Sequence, residues 1–155
     1  MNSIHILLIE DSDDDAVIIR ELLNGDDSGV DFNLTHESSL ASGISTLDAV
    51  EPDLVLLDLS LPDSFGMETL KAMRERSPKA PIVVMTGLDD RSTGLQALSE
   101  GAQDYLVKGR VNSHDLVRTI RYSLERKRLE ATLVETAEEN ARLELLNLTA
   151  TALGH

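Results

Sequence analysis

Short apolar runs recur along this chain, and segments with helical periodicity separate them. The most constraining run is Leu-Val-Leu-Leu at residues 54–57, which ends on Asp58. A strand buried on both faces of a parallel sheet has this near-continuous apolar sequence. The same pattern predicts five strands, the second of which alternates like an edge strand, at residues 4–9, 31–37, 54–58, 81–86 and 104–107.

Segments with the apolar spacing of helices alternate with these strands. They predict helices at residues 14–24, 40–50, 67–76 and 91–100, and a last helix that begins near Ser113. Strands and helices that alternate in this way form a parallel sheet with helices on both faces, and right-handed crossovers restrict its topology. We therefore expect a doubly wound α/β domain with five parallel strands.

Polar side chains stand at the carboxyl ends of four predicted strands. Ligands of open α/β sheets bind outside these ends. We therefore expect the polar side chains to converge at one edge of the sheet. They are Glu10 and Asp11 after the first strand, Asp58 at the end of the third, Thr86 at the end of the fourth and Lys108 after the fifth.

Carboxylates, a lysine and a hydroxyl together suit phosphoryl transfer. Clustered carboxylates repel one another unless a cation lies among them, and hard oxygen ligands favour Mg²⁺. Asp58 can act as a nucleophile and form an acyl phosphate. Lys108 can neutralise charge on the phosphoryl oxygens, and the Thr86 hydroxyl can donate a hydrogen bond to one of them.

These residues resemble the receiver domains of two-component response regulators, over about residues 3–122. The matching segments are Glu10-Asp11 and residues 58–66, 85–87 and 105–108. The resemblance implies a flavodoxin-like (βα)5 fold with strand order 2-1-3-4-5. It also implies that Asp58 is a phosphoacceptor, and that the donor is a phosphohistidine on a sensor histidine kinase or a phosphotransfer protein.

The resemblance further implies which residues hold the metal ion and the phosphoryl group. The Mg²⁺ ligands would be Glu10, Asp11, Asp58 and the backbone carbonyl of Ser60. Thr86 and Lys108 would contact the phosphoryl group.

Tyr105 matches the switch aromatic of the family, which turns inward when Thr86 moves towards the phosphate. In the family, the residues at the positions of Ser60 and Leu88 tune the hydrolysis of the aspartyl phosphate. Leu88 cannot orient a water molecule, so we expect a long-lived phosphorylated state.

Gly109 departs from the family pattern, which usually has proline after the lysine. Glycine tolerates backbone angles that other residues avoid. We therefore expect Lys108 still to reach the site.

The chain continues as one predicted helix from Asp115 to about Leu153, because no glycine or proline lies between residues 118 and 153. We divide the chain into a receiver domain at 1–122 and a helical extension at 123–155. One hypothesis is a coiled-coil linker to an output module, and the alternative is a helix that folds back on its own domain. The candidate seam has heptad steps of four and three, at residues 120, 124, 127, 131, 134, 138, 141, 145, 148 and 152.

Signalling is predicted to pass through the fourth helix, fifth strand and fifth helix into the extension. A homodimer would use either that face or the extension. The net charge of −14 opposes direct binding to nucleic acid. The absence of cysteine and of an apolar run of about 20 residues led us to expect a cytoplasmic protein with no membrane segment.

Three other functions fit part of the pattern. A haloacid-dehalogenase-like phosphohydrolase normally has a second Asp two positions after the nucleophile, where this chain has Ser60. A flavodoxin-like or nucleotide-binding module would have a glycine-rich or hydroxyl-rich first loop rather than an acidic one. A receiver that cannot be phosphorylated would lack one of the required side chains. We expect no enzymatic activity beyond self-phosphorylation and slow dephosphorylation.

Overall fold

A computed structural model describes residues 3–87 and 90–153, with side chains as far as residue 147. Its five parallel strands pair in the order β2-β1-β3-β4-β5, which confirms the predicted fold class and strand order. The prediction for Leu88 lies outside the described residues. The strands are β1 (Ser3–Ile9), β2 (Asp31–Glu37), β3 (Leu54–Asp58), β4 (Ile82–Thr86) and β5 (Asp104–Val107).

Five helices cover both faces of this sheet. Successive strand side chains point to opposite faces, so β1 sends Leu7 and Ile9 into one apolar cluster and Ile6 and Leu8 into the other. The first cluster lies under α2, α3 and α4, and the second lies under α1 and α5. The helices are α1 (Asp13–Asn24), α2 (Leu40–Val50), α3 (Met67–Arg76), α4 (Arg91–Ser99) and α5 (Ser113–Leu153).

A short antiparallel hairpin follows β3, in a segment where we predicted neither a strand nor a helix. Ser60–Leu61 pairs with Ser64–Phe65. Helix α2 anchors the turn between them. The backbone N–H groups of Leu40 and Ala41, in its first turn, donate hydrogen bonds of 2.9 Å to the two carboxylate oxygens of Asp63. These bonds hold the pKa of Asp63 below its ordinary value.

Helix α5 is 41 residues long, and side chains in its first half form hydrogen bonds with the rest of the domain. Arg126 donates to the carbonyl of Gln103 at 3.1 Å, and the side chain of Gln103 donates to Glu130 at 3.1 Å. All described side chains from 131 to 147 are exposed. Ala131, Val134 and Glu135 border a groove that Asp53 and Pro78 also line, and the exposed helix continues beyond them. No helix in the described residues is both long and apolar enough to cross a bilayer.

Candidate functional site

The ends of β1, β3 and β5 bring three charged side chains together. The Lys108 ammonium lies 2.5 Å from Glu10 Oε2 and 2.9 Å from Asp58 Oδ2. Glu10 is completely buried and Asp58 nearly so. Two buried carboxylates at the ends of adjacent strands repel each other. The ammonium between them offsets this repulsion when no other cation is bound.

The carboxylates also form a group of metal-ligand type. One oxygen each from Glu10, Asp11 and Asp58 lies within 4.8 Å of the other two. Asp11 is exposed, so the group opens to solvent on that side. Hard, anionic oxygens at this spacing are the ligands that Mg²⁺ prefers. The donor set therefore fits a magnesium ion.

The environment of this cluster shifts two pKa values. Burial raises the pKa of Glu10 to about 7, against the opposing effect of its bonds to Lys108 and to the backbone of Ser12. Burial lowers the pKa of Lys108, but its bonds to Glu10 and Asp58 outweigh burial and leave the pKa above the ordinary value. Lys108 therefore carries its charge throughout the neutral range.

Both oxygens of Asp58 have a partner within the chain. Oδ1 accepts a hydrogen bond from the backbone N–H of Ser60 at 2.9 Å, and Oδ2 accepts one from Lys108. Ser60 begins the hairpin, whose turn is anchored on α2. The orientation of the Asp58 carboxylate is thus fixed by the loop that follows its own strand.

A cavity of about 420 Å³ opens beside Asp58, between the hairpin and α4. Thr86 lines it and is buried, and its hydroxyl donates a long hydrogen bond of 3.4 Å to the carbonyl of Leu106. This cavity is large enough to admit a phosphoryl group and part of the group that carries it.

Tyr105 lies away from the acidic cluster and packs on α4. A Cβ added to Gly94 would lie 2.5 Å from Cδ2 of the Tyr105 ring. The ring therefore occupies the space that a side chain at position 94 would need, and it contacts the first apolar cluster.

The family model that describes the response regulator receiver domain matches residues 6–121. This chain belongs to that family. The resemblance identified from the strand-end motifs is thereby confirmed.

Known receivers resemble the chain in sequence and in structure. The regulatory protein LuxO of Vibrio cholerae is 41% identical over 101 residues, which cover 65% of this chain and 21% of LuxO. The chemotaxis protein CheY of Listeria monocytogenes is 27% identical over 96 residues, which cover 61% of this chain and 81% of CheY. The chain thus matches only about a fifth of the length of LuxO.

A crystal structure of a receiver domain protein from Clostridium thermocellum superposes with a TM-score of 0.69. It is 28% identical, and the match covers 81% of this chain and 98% of that one.

The receiver site also contains a contact that the sequence did not reveal. Asp15 Oδ2 lies 3.2 Å from the Lys108 ammonium, although Asp15 was not among the predicted site residues. No local sequence pattern predicts this contact, because it depends on how the first turn of α1 meets the end of β5.

The backbone after Lys108 adopts a conformation that favours glycine. Gly109 has φ of +84°, and no peptide bond among the described residues is cis. The backbone N–H of Lys108 donates to the carbonyl of Thr86 at 2.8 Å. Lys108 therefore reaches the acidic cluster without a proline at the next position.

Proposed function

We propose that this receiver accepts a phosphoryl group on Asp58 from a phosphohistidine of a sensor histidine kinase or phosphotransfer protein, in a Mg²⁺-dependent reaction. The observation that carries the proposal is the geometry around Asp58. Its carboxylate is held on one side by Ser60 and on the other by Lys108, and it opens on a cavity. A nucleophile held in one orientation loses little freedom on reacting.

Glu10, Asp11, Asp58 and the carbonyl of Ser60 would hold the magnesium ion. When bound, the ion would neutralise charge on the transferring phosphoryl oxygens. The proximity of three carboxylate oxygens supports this assignment for the side chains. The Ser60 carbonyl is assigned from the family resemblance.

In the proposed reaction, a carboxylate oxygen of Asp58 attacks phosphorus as the P–N bond of phosphohistidine breaks. The imidazole nitrogen keeps the electron pair of that bond and takes up a proton. Lys108 balances negative charge on a phosphoryl oxygen, which requires only a short movement from its bond to Asp58. The buried Thr86 hydroxyl exchanges its long bond to Leu106 for one to the phosphoryl group.

Phosphorylation would then alter the face formed by α4, β5 and α5. Movement of Thr86 changes the space beside Tyr105, whose ring rests on α4. A phosphoryl group that is bound better by one arrangement shifts the population towards it. Because α5 runs from this face into the extension, we propose that the extension carries the output. Ser60 and Leu88 would tune the lifetime of the phosphorylated state.

We further propose that residues 1–122 act as the receiver unit, and that the extension at 123–155 links two copies to an output module. Large apolar side chains exposed beyond the domain support pairing with a second helix. They include Leu129, Leu133, Val134, Leu143 and Leu146.

Phosphorylation with phosphoramidate tests the proposed chemistry, because this small donor contains the same P–N bond as phosphohistidine. Intact mass should show one phosphate adduct that requires Mg²⁺. The adduct should vanish in Asp58→Asn and persist in Asp48→Asn, which removes an exposed carboxylate from α2. A wild-type chain that never gains the adduct would instead favour a receiver used only for interaction.

A further inference from the structure

The Lys108 ammonium has three N–H groups and three carboxylate partners. Glu10 and Asp58 hold it from inside the fold, and Asp15 on α1 holds it from the solvent side at 3.2 Å. The three partners differ in exposure: the side chains are 0% exposed for Glu10, 9% for Asp58 and 41% for Asp15.

Two of these partners have a second task in the proposed reaction. Glu10 and Asp58 belong to the carboxylate group that fits a divalent cation, and Asp15 does not. A cation bound by these carboxylates would lie close to the Lys108 ammonium, and the two positive charges repel each other at short range. We therefore expect entry of the cation to weaken the bonds of Lys108 to Glu10 and Asp58.

Asp15 can keep its ion pair with Lys108 when a cation binds Glu10 and Asp58. Its backbone N–H donates to Ser12 Oγ at 3.2 Å, which fixes the first turn of α1 relative to the end of β1. The backbone of Asp15 is thus fixed near the end of β1, and its carboxylate lies 3.2 Å from the Lys108 ammonium. Without it, a displaced ammonium would be free to extend into solvent, where water binds it strongly.

We infer that Asp15 is a positioning residue, which holds the Lys108 ammonium beside Asp58 when a divalent cation occupies the oxygens of Glu10 and Asp58. The inference rests on the proposed function, and it adds a residue to the site. Asp15 touches neither the metal nor the phosphoryl group in this role, because it acts only through Lys108.

Asp14 provides a matched control for a purely electrostatic role. Asp13, Asp14 and Asp15 all lie in the first turn of α1, where any carboxylate interacts favourably with the helix dipole. Asp14 is exposed, and its neutralisation removes the same charge from the same turn. A larger effect at position 15 that also depends on Lys108 comes from the contact between these two residues.

The test measures Mg²⁺ binding by NMR titration and the rate of phosphorylation by phosphoramidate at saturating Mg²⁺. Loss of a partly exposed ion pair predicts that Asp15→Asn weakens Mg²⁺ binding and slows the reaction by about two- to fivefold more than Asp14→Asn. Asp15→Glu should recover most of both. In a Lys108→Met background, Asp15→Asn and Asp14→Asn should change Mg²⁺ binding equally.

Two results would overturn the inference while leaving the proposed function intact. One is that Asp15→Asn and Asp14→Asn behave alike in the wild-type background. The other is that the excess effect of Asp15→Asn on Mg²⁺ binding survives in Lys108→Met. A wild-type protein that binds Mg²⁺ but gains no phosphate would instead reject the proposed function, and with it this role for Asp15.

Discussion

The edge of the sheet around Asp58 and the exposed part of α5, residues 128–147, differ in where they place charged and apolar side chains. At the edge, Glu10, Asp58 and Lys108 are withdrawn from solvent and bond to one another. Along α5, the charges are exposed and pair locally, as Arg128 does with Glu125, while large apolar side chains also face solvent. The charged groups at the edge have partners within the chain, whereas the helix presents apolar side chains that its own domain does not cover.

This difference predicts that the two regions respond to different partners. The edge should respond to small ions and to a phosphoryl group. The exposed part of α5 should respond to protein concentration, because we propose that a second copy covers its apolar side chains.

The largest expected effect is on self-association through α5. Val134 lies on the predicted heptad seam and is 58% exposed, and Leu133 lies beside the seam and is 69% exposed. Val134→Glu should lower the dimer association constant by about 100-fold, since two buried apolar side chains contribute roughly 3 kcal/mol. Leu133→Glu should have a smaller effect. Sedimentation equilibrium measures both.

Thr132→Glu adds the same charge on the opposite side of the helix and serves as the control. A wild-type chain that stays monomeric at high concentration would argue against the coiled coil. Equal effects of all three substitutions would argue against the proposed seam.

The next effect concerns stability at the edge. Lys108→Met leaves two buried carboxylates without their cation, so it should lower the free energy of unfolding by about 2 kcal/mol in the absence of Mg²⁺. Added Mg²⁺ should restore much of this loss, because it binds only the folded carboxylate group. Urea unfolding with and without Mg²⁺ measures the change. Lys71→Met, at an exposed position of α3, is the control and should change little.

The smallest effect is expected where Tyr105 packs on Gly94. The added methyl group of Gly94→Ala would lie 2.5 Å from the Tyr105 ring. We expect a net loss of about 1 kcal/mol, since overpacking outweighs the better helix propensity of alanine. In a Tyr105→Ala background the ring is absent, so the same substitution should stabilise.

Tyrosine fluorescence reports the position of the ring, because the chain has two tyrosines and no tryptophan. Tyr122→Phe leaves Tyr105 as the only emitter. Unchanged Tyr105 emission in Gly94→Ala would show that the ring does not depend on the glycine.

One sequence pattern, the short apolar run, predicted both the fold and the convergence of the polar site residues at one edge of the sheet. The apolar run before Asp58 sets both the strand and the position at which it ends, and parallel strands end at one edge. The bounds of β3, α2 and α3 agree with the prediction to the residue.

The sequence could not reveal contacts that depend on how distant elements meet. Asp63 caps α2 across 22 or 23 residues, and Asp15 meets Lys108 across 93 residues. Neither pair has a local sequence pattern that joins its members. The hairpin was missed because its strands have two residues each, too few for any periodicity.

The central claim is that phosphoryl transfer ends on the carboxylate of Asp58. Sodium borohydride reduces an acyl phosphate of aspartate to homoserine, so peptide sequencing after phosphoramidate treatment and reduction identifies the acceptor directly. We predict homoserine at position 58 only when phosphoramidate and Mg²⁺ are both present. Homoserine at another acidic position, or a phosphate adduct that yields none, would contradict the account.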